Sequence, residues 1–391
     1  MTESVQHRVG ELPLAGIRVL SLAEQYPGPY ATMILADLGA DVILVERPNG
    51  GDPTRRFSGH FNGLNRNKRS VAIDLKSDQG KKILLELAAT ADVLIEGYRP
   101  GVLSRLGVGP ETLQERYPRL VVCSVSSFGQ TGPMGPRGGH DLSMQGIAGF
   151  VGGDPPAPAP LPLADLSSAM FAVIGIVTSL LDRARGREAA YIDISMLDAL
   201  VSWRSTALVS SLNGLDPAPY PPDDPGYGVF EASTGQLITL SIAGEDHQWR
   251  ALCETVGLLD LAELTTEARE AQAAEIVPRL KGAIRQHDWD KLEAELSRQG
   301  VGFGPVNDDQ AVAEHPQVAA REVIVEVDDG SGLIAVAQPI KFDGKRVRIR
   351  SRAPYLGEHS RDLLTEIGYD DIETASLFEA SVIAEPTKEQ L

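Results

Sequence analysis

Cysteine is scarce in this 391-residue sequence, with Cys123 and Cys253 its only two. They lie far apart, one in an expected strand and one in an expected helix, so neither a disulfide framework nor a zinc site is expected. No cluster of His, Cys, Asp or Glu has metal-ligand spacing, and no metal is expected. Positive charge is also in deficit, with 36 Lys+Arg against 54 Asp+Glu and a net charge of −18. Such a balance argues against general binding to nucleic acid or an anionic membrane. No uninterrupted apolar run of membrane-spanning length stands out. The opening "MTESVQHRVGELPL" lacks the basic-then-apolar pattern of a secretory signal, so a cytoplasmic protein is expected. What is present, 42% hydrophobic and 23% charged residues, is ordinary for a globular chain of this size.

The apolar pattern alternates between strand and helix. "GIRVLSLAEQ" reads as a strand, "PYATMILADLG" as a helix ending in glycine, and "ADVILVERP" as a strand stopped by proline. "SVAIDL", "KSDQGKKILLELAATA", "DVLIEGY" and "RLVVCSVSSFG" continue the series as strand, helix, strand and strand. This implies an α/β fold: a Rossmann-like large domain with a mainly parallel sheet, plus a smaller α+β domain. The expected division is a large domain over 1–212, a small one over 213–330, and a return to the large domain over 331–391. The proline-rich break "NGLDPAPYPPDDPGYG" (213–228) marks the first boundary. Glu46 ends the second strand as a ribose-binding acid would. The first loop, "EQYPGPYAT", nevertheless has one glycine between two prolines, which lack the N–H groups that grip a pyrophosphate. A nicotinamide cofactor is therefore rejected.

Two places carry candidate chemistry. "PRGGHDLSMQGIAG" (136–149) sets His140 beside Asp141 after two glycines, and an adjacent carboxylate can fix a histidine's tautomer. Asp165 opens the long apolar helix "LSSAMFAVIGIVTSLLDRARG" after a proline-rich loop. Its ordinary role there would be an N-cap, worth about 1 kcal/mol. The helix N-terminus would also keep the carboxylate ionised, as a nucleophile requires. Between Arg47 and Arg105 the chain is rich in Lys and Arg although the whole is acidic, and an anionic ligand is expected there.

The segments "PLAGIRVLSLA", "ILADLGADVILVERPNGGDPTR", "NRNKRSVAIDLKSDQGK", "ADVLIEGYRPGVLSRLG", "LADLSSAMFAVIGI", "YIDISMLDAL" and "PYLGEHSRDLL" occur in that order between Leu14 and Tyr369. In these the sequence resembles the class III CoA-transferases, the CaiB/BaiF family, which also contains 2-methylacyl-CoA racemases. The resemblance implies an interlocked homodimer. It implies an acyl-CoA substrate, a carboxylate acceptor, and no cofactor beyond the coenzyme A that the substrate carries. Asp165 would attack the thioester to give an acyl-aspartyl anhydride. In the alternative reaction, His140 and Asp165 would exchange the α-proton of a 2-methylacyl-CoA, with Asp141 and Glu245 as supporting acids. A third reading is a non-catalytic acyl-CoA-binding protein. Arg47, Lys76 and Arg105 would meet the phosphates of coenzyme A. Ile73, Gly97 and Tyr98 would bracket the adenine or line its path, and Tyr26 and Pro27 would meet the pantetheine end. Lys68 and Arg69 are left between contact and scaffold. The glycine run of the oxalate/formate-type transferases has no counterpart near 226–240.

Overall fold

The computed structural model describes residues 12–216 and 222–386. The residues before Leu12 and part of the proline-rich break lie outside that range. The chain divides into two compact units, residues 1–205 with 319–391, and residues 206–318.

The first unit alternates strand and helix from its start. It runs β1 (Arg18–Leu22), α1 (Pro27–Asp37), β2 (Asp41–Glu46), α2 (Ser58–Asn65), β3 (Lys68–Ile73), α3 (Asp78–Ala88) and β4 (Val93–Glu96). Next come α4 (Val102–Leu106), α5 (Pro110–Arg116), β5 (Val121–Ser126), α6 (Asp141–Ala148), α7 (Leu163–Ala184), β6 (Tyr191–Ser195) and α8 (Met196–Trp203). The six strands are parallel in the order β3-β2-β1-β4-β5-β6. A short strand, Ile383–Ala384, joins antiparallel to β3. The order reverses between β1 and β4, and the carboxyl ends of strands at such a point form a ligand-binding crevice.

Alternation along each strand sends side chains to two cores. Leu20, Leu22, Ile43 and Leu94 pack on Ile83, Leu84 and Leu87 of α3. Val19, Val42, Val93 and Ile95 pack on Leu35 of α1 and on Ala169, Ala172 and Ile176 of α7. Gly28 lets α1 start close to β1, since a Cβ there would lie 2.0 Å from the Ala23 Cβ.

One expectation from the sequence needs correction here. By length and composition α7 is long and apolar enough to cross a membrane, although no such run was counted in the sequence. Its small residues, including Ser167, Ser168, Ala169 and Ala172, are buried, and the helix packs on α1 and the sheet.

The second unit opens with α9 (Ser205–Asn213). It has an antiparallel sheet of β7 (Tyr227–Glu231), β8 (Leu237–Ser241) and β9 (Phe303–Pro305). Its helices are α10 (Asp246–Val256), α11 (Thr266–Ala271), α12 (Ala273–Ile284) and α13 (Trp289–Gln299). The division by compactness places both boundaries earlier than 213 and 330. A proline-rich break marks where α9 ends, whereas the second unit begins at that helix's start.

Candidate active site

Asp165 is the third residue of α7, whose N-cap position is Pro162. The N-cap role considered from sequence is therefore not its own. Asp141, the first residue of α6, performs it instead: the Ala164 amide donates to Asp141 Oδ1 at 2.6 Å. Gln145 Nε2 donates to Asp141 Oδ2 at 2.5 Å. Among the described residues, the half-buried Asp165 carboxylate has no hydrogen bond or ion pair. Burial, and then the Asp141 charge, push its carboxyl up to about 7. This corrects the expectation that the helix terminus keeps it ionised. Amide dipoles favour the anion only modestly, and here desolvation with a neighbouring carboxylate outweighs them.

His140 sits exposed at the N-cap position of α6, and its imidazole makes no hydrogen bond among the described residues. Asp141 does not hold it; its two carboxylate oxygens accept from Gln145 Nε2 and the Ala164 amide. His140 and Asp165 each adjoin one member of the bonded pair Asp141–Ala164, and so the fold brings them to one corner. Tyr26 precedes Pro27, the first residue of α1. Burial, Tyr30 and then Asp165 raise the Tyr26 phenol above its ordinary value, placing Tyr26 in the field of Asp165. The His60 ring meets the Tyr26 ring edge-on, with centroids 5.2 Å apart. His60 carries no local sequence signal, being a lone exposed histidine in the short helix α2.

The structure sorts the basic stretch into two classes. Arg55 pairs with Glu46, Arg66 with Asp37, Arg69 with Asp41 and Glu366, Lys81 with Asp78, and Lys82 with Glu86. Lys68 is buried and donates to Pro29 O, Thr32 Oγ1 and Asn65 Oδ1, each at 2.9 Å. Lys68 and Arg69 are scaffold. Among the described residues Arg47, Arg56, Lys76, Arg99 and Arg105 carry no ion pair. Arg47 follows β2 directly and uses only its Nε, bonded to Gly51 O at 2.8 Å, so its two Nη groups stay open. Arg99 belongs to the basic stretch but was assigned no individual contact; its guanidinium fills the space that a Cβ on Gly138 would need.

Glu46 offers nothing to a ribose. Its oxygens accept from Arg55, the Asp52 amide and Ser70 Oγ. Gly97 and Tyr98 follow β4 at the crevice, and the Gly97 Cβ position lies 3.4 Å from the Ala23 Cβ. The Tyr98 phenol is pushed up to about 12, chiefly by burial. Ile73 must be corrected. It is 1% exposed, its side chain packed in the core cluster it shares with Ile83, Leu84 and Leu87, so it presents no surface to an adenine. Glu245 belongs to the second unit, where its carboxylate accepts the Ala243 amide at 2.7 Å as α10 begins.

A cavity of about 450 Å³ in the first unit is lined by Lys68, Asp329, Ser331, Arg352, Glu358 and His359. None of the other candidate site residues lines it, and its Arg352 is bidentate to Glu358. No group of three or more potential metal ligands occurs among the described residues.

Residues 14–360 match CoA-transferase family III. The chain is 32% identical over 399 residues to a succinyl-CoA:glutarate CoA-transferase of Homo sapiens, covering 95% of this chain and 90% of that protein. It is 33% identical over 374 residues to an acetyl-CoA:oxalate CoA-transferase of Acetobacter aceti, covering 90% and 95%. A CaiB/BaiF family protein of Brucella suis has a similar solved structure, with TM-score 0.82 and 31% identity. That match covers 91% of this chain and 99% of that one.

Proposed function

The chain belongs to CoA-transferase family III, and from that premise we propose that Asp165 is the nucleophile that passes coenzyme A from an acyl-CoA to a free carboxylate. One observation carries the proposal. Asp141 takes over the capping of α7 and leaves the Asp165 carboxylate uncommitted at the helix head.

In the first step an Asp165 oxygen adds to the thioester carbonyl. The C–S bond breaks, giving an acyl-aspartyl anhydride and CoA thiolate. The acceptor carboxylate then attacks the aspartyl carbonyl of the anhydride and displaces the donor as its free carboxylate. The thiolate attacks the acceptor carbonyl of the new anhydride, forming the product thioester and returning Asp165 as carboxylate. No net proton is consumed, but the nucleophile must start deprotonated. The open guanidinium of Arg47, with Lys76 and Arg105, suits the phosphates of the CoA carrier. Tyr26 and Pro27 suit the pantetheine end, with Gly97 and Tyr98 lining the adenine path. His140 lines the acyl pocket.

A homodimer in the cytoplasm, with interlocked chains, completes this reading. Association of two copies is supported by one face of α7, where Met170, Ile174, Val177 and Leu181 recur at helical spacing and are exposed. A second copy covering that stripe would remove it from water.

A second reading, proton exchange at the α-carbon by His140 and Asp165, is favoured by one observation. A carboxyl titrating near 7 can both accept and return a proton at neutral pH. Incubation with a 2-methylacyl-CoA in deuterated water, with and without a dicarboxylate acceptor, separates the two. Transfer requires acceptor-dependent formation of a new thioester. Deuterium at the α-carbon without acceptor would replace that reading with proton exchange.

A further inference from the structure

Gln145 stands one helical turn after Asp141 in α6. It is 1% exposed, and its carboxamide is engaged at both ends. Nε2 donates to Asp141 Oδ2 at 2.5 Å and to Leu161 O at 3.1 Å, while Oε1 accepts the Ala159 amide at 2.9 Å. Its own backbone carbonyl accepts the Phe150 amide at 2.8 Å. A single residue thus gathers the start and the end of the loop 150–161 onto α6. The same residue grips the carboxylate that caps α7.

We propose that Gln145 is a positioning residue for the transfer reaction, holding Asp141 against the α7 terminus and thereby fixing where Asp165 points and the field it stands in. This rests on the reading of Asp165 as nucleophile. The side chain suits the task because it offers a donor and an acceptor on one neutral group. Asp141 and Leu161 O need the donor, and the Ala159 amide needs the acceptor. A glutamate of the same length would keep the acceptor, lose the donor and set a second negative charge beside Asp141. A methionine would keep the volume and lose both. The titratable groups facing Asp165 are Asp141 from α6 and Tyr26 from the head of α1. His140 adjoins Asp141 in the chain. Of these, Gln145 bonds Asp141 alone, so its influence passes through that carboxylate.

The test uses the full-length enzyme with succinyl-CoA and glutarate as the probe pair. Its variants are Gln145→Glu, Gln145→Met and Asp141→Asn. Two readouts are followed: the pH profile of turnover, and the carboxyl ¹³C titration of Asp165, assigned by its loss in Asp165→Asn. Gln145→Glu should raise the acid limb and the Asp165 titration together by at least about half a pH unit. It should lower kcat about tenfold while leaving KM for succinyl-CoA within roughly twofold, as expected for a nucleophile displaced without loss of the CoA grip. Gln145→Met should lower kcat in the same way. Asp141→Asn should move both readouts downward, and it decides the matter with the same measurements if Gln145→Glu fails to fold. An acid limb and an Asp165 titration that stay at the wild-type position in Gln145→Glu and Asp141→Asn overturn the proposal. A shifted titration with unchanged turnover supports the clamp and instead overturns Asp165 as nucleophile.

Discussion

The Ala164 amide donates to Asp141 Oδ1 at 2.6 Å, joining the first turn of α7 to the first residue of α6. Through this bond one carboxylate ties off the helix and its neighbour in the fold, Asp165, is left free. Burial first, and then the like charge of Asp141, restrains Asp165 from ionising.

That restraint has a thermodynamic signature. The Asp165 carboxyl titrates at about 7 in the folded chain, above its ordinary 3.8. The unfolded chain therefore releases this proton first, and folding loses stability as pH rises from about 4 through 7. Asp165→Asn removes that slope. Thermal melts of the variant should gain on wild type between pH 4 and pH 8, and a constant difference would contradict the raised titration.

The unpaired cations should act on carrier binding. Arg47→Ala and Arg105→Ala should each raise KM for acyl-CoA about tenfold with kcat largely kept, and the penalty should shrink at high salt. Lys68→Met should instead lower the melting temperature, because its ammonium only joins Pro29, Thr32 and Asn65. Steady-state kinetics against acyl-CoA at two ionic strengths, with melting curves, check the division.

His140 makes no bond to Asp141, and transfer chemistry asks nothing of its proton. His140→Ala should keep transfer within about tenfold of wild type, with the loss in KM for the acyl group rather than in kcat. A loss as deep as that of Asp165→Ala would give the imidazole a chemical role.

The exposed stripe on α7 predicts association. Ile174→Asp places a charge at its centre and should shift the sedimentation profile towards monomer. An unchanged profile would remove that stripe from the interface.

Much of this was legible in the chain. The glycine after "ILADL" and the proline closing "ERP" punctuate the first βαβ unit, and α1, β2 and β3 form where their apolar patterns lie, although α1 begins at Pro27 rather than at the expected Pro29. The helix headed by Asp165 was marked by its apolar run, whereas the nucleophile role of Asp165 came from the family resemblance. Ile73 was misplaced because no local pattern tells that the end of its strand is packed into the core. The carboxylates were harder still. Sequence shows which acid begins a helix, but it cannot show that Asp141 reaches across 23 residues to cap α7. Gln145 had a signal that went unread, its i,i+4 spacing from Asp141 on one helix face.

The central claim is tested most directly by trapping the enzyme during turnover. Wild-type protein incubated with succinyl-CoA and hydroxylamine, then digested and weighed by mass spectrometry, should carry a hydroxamate on the peptide containing Asp165. Asp165→Asn should carry none and should not transfer coenzyme A. Transfer that proceeds with that peptide unmodified, or that survives in Asp165→Asn, would contradict the claim.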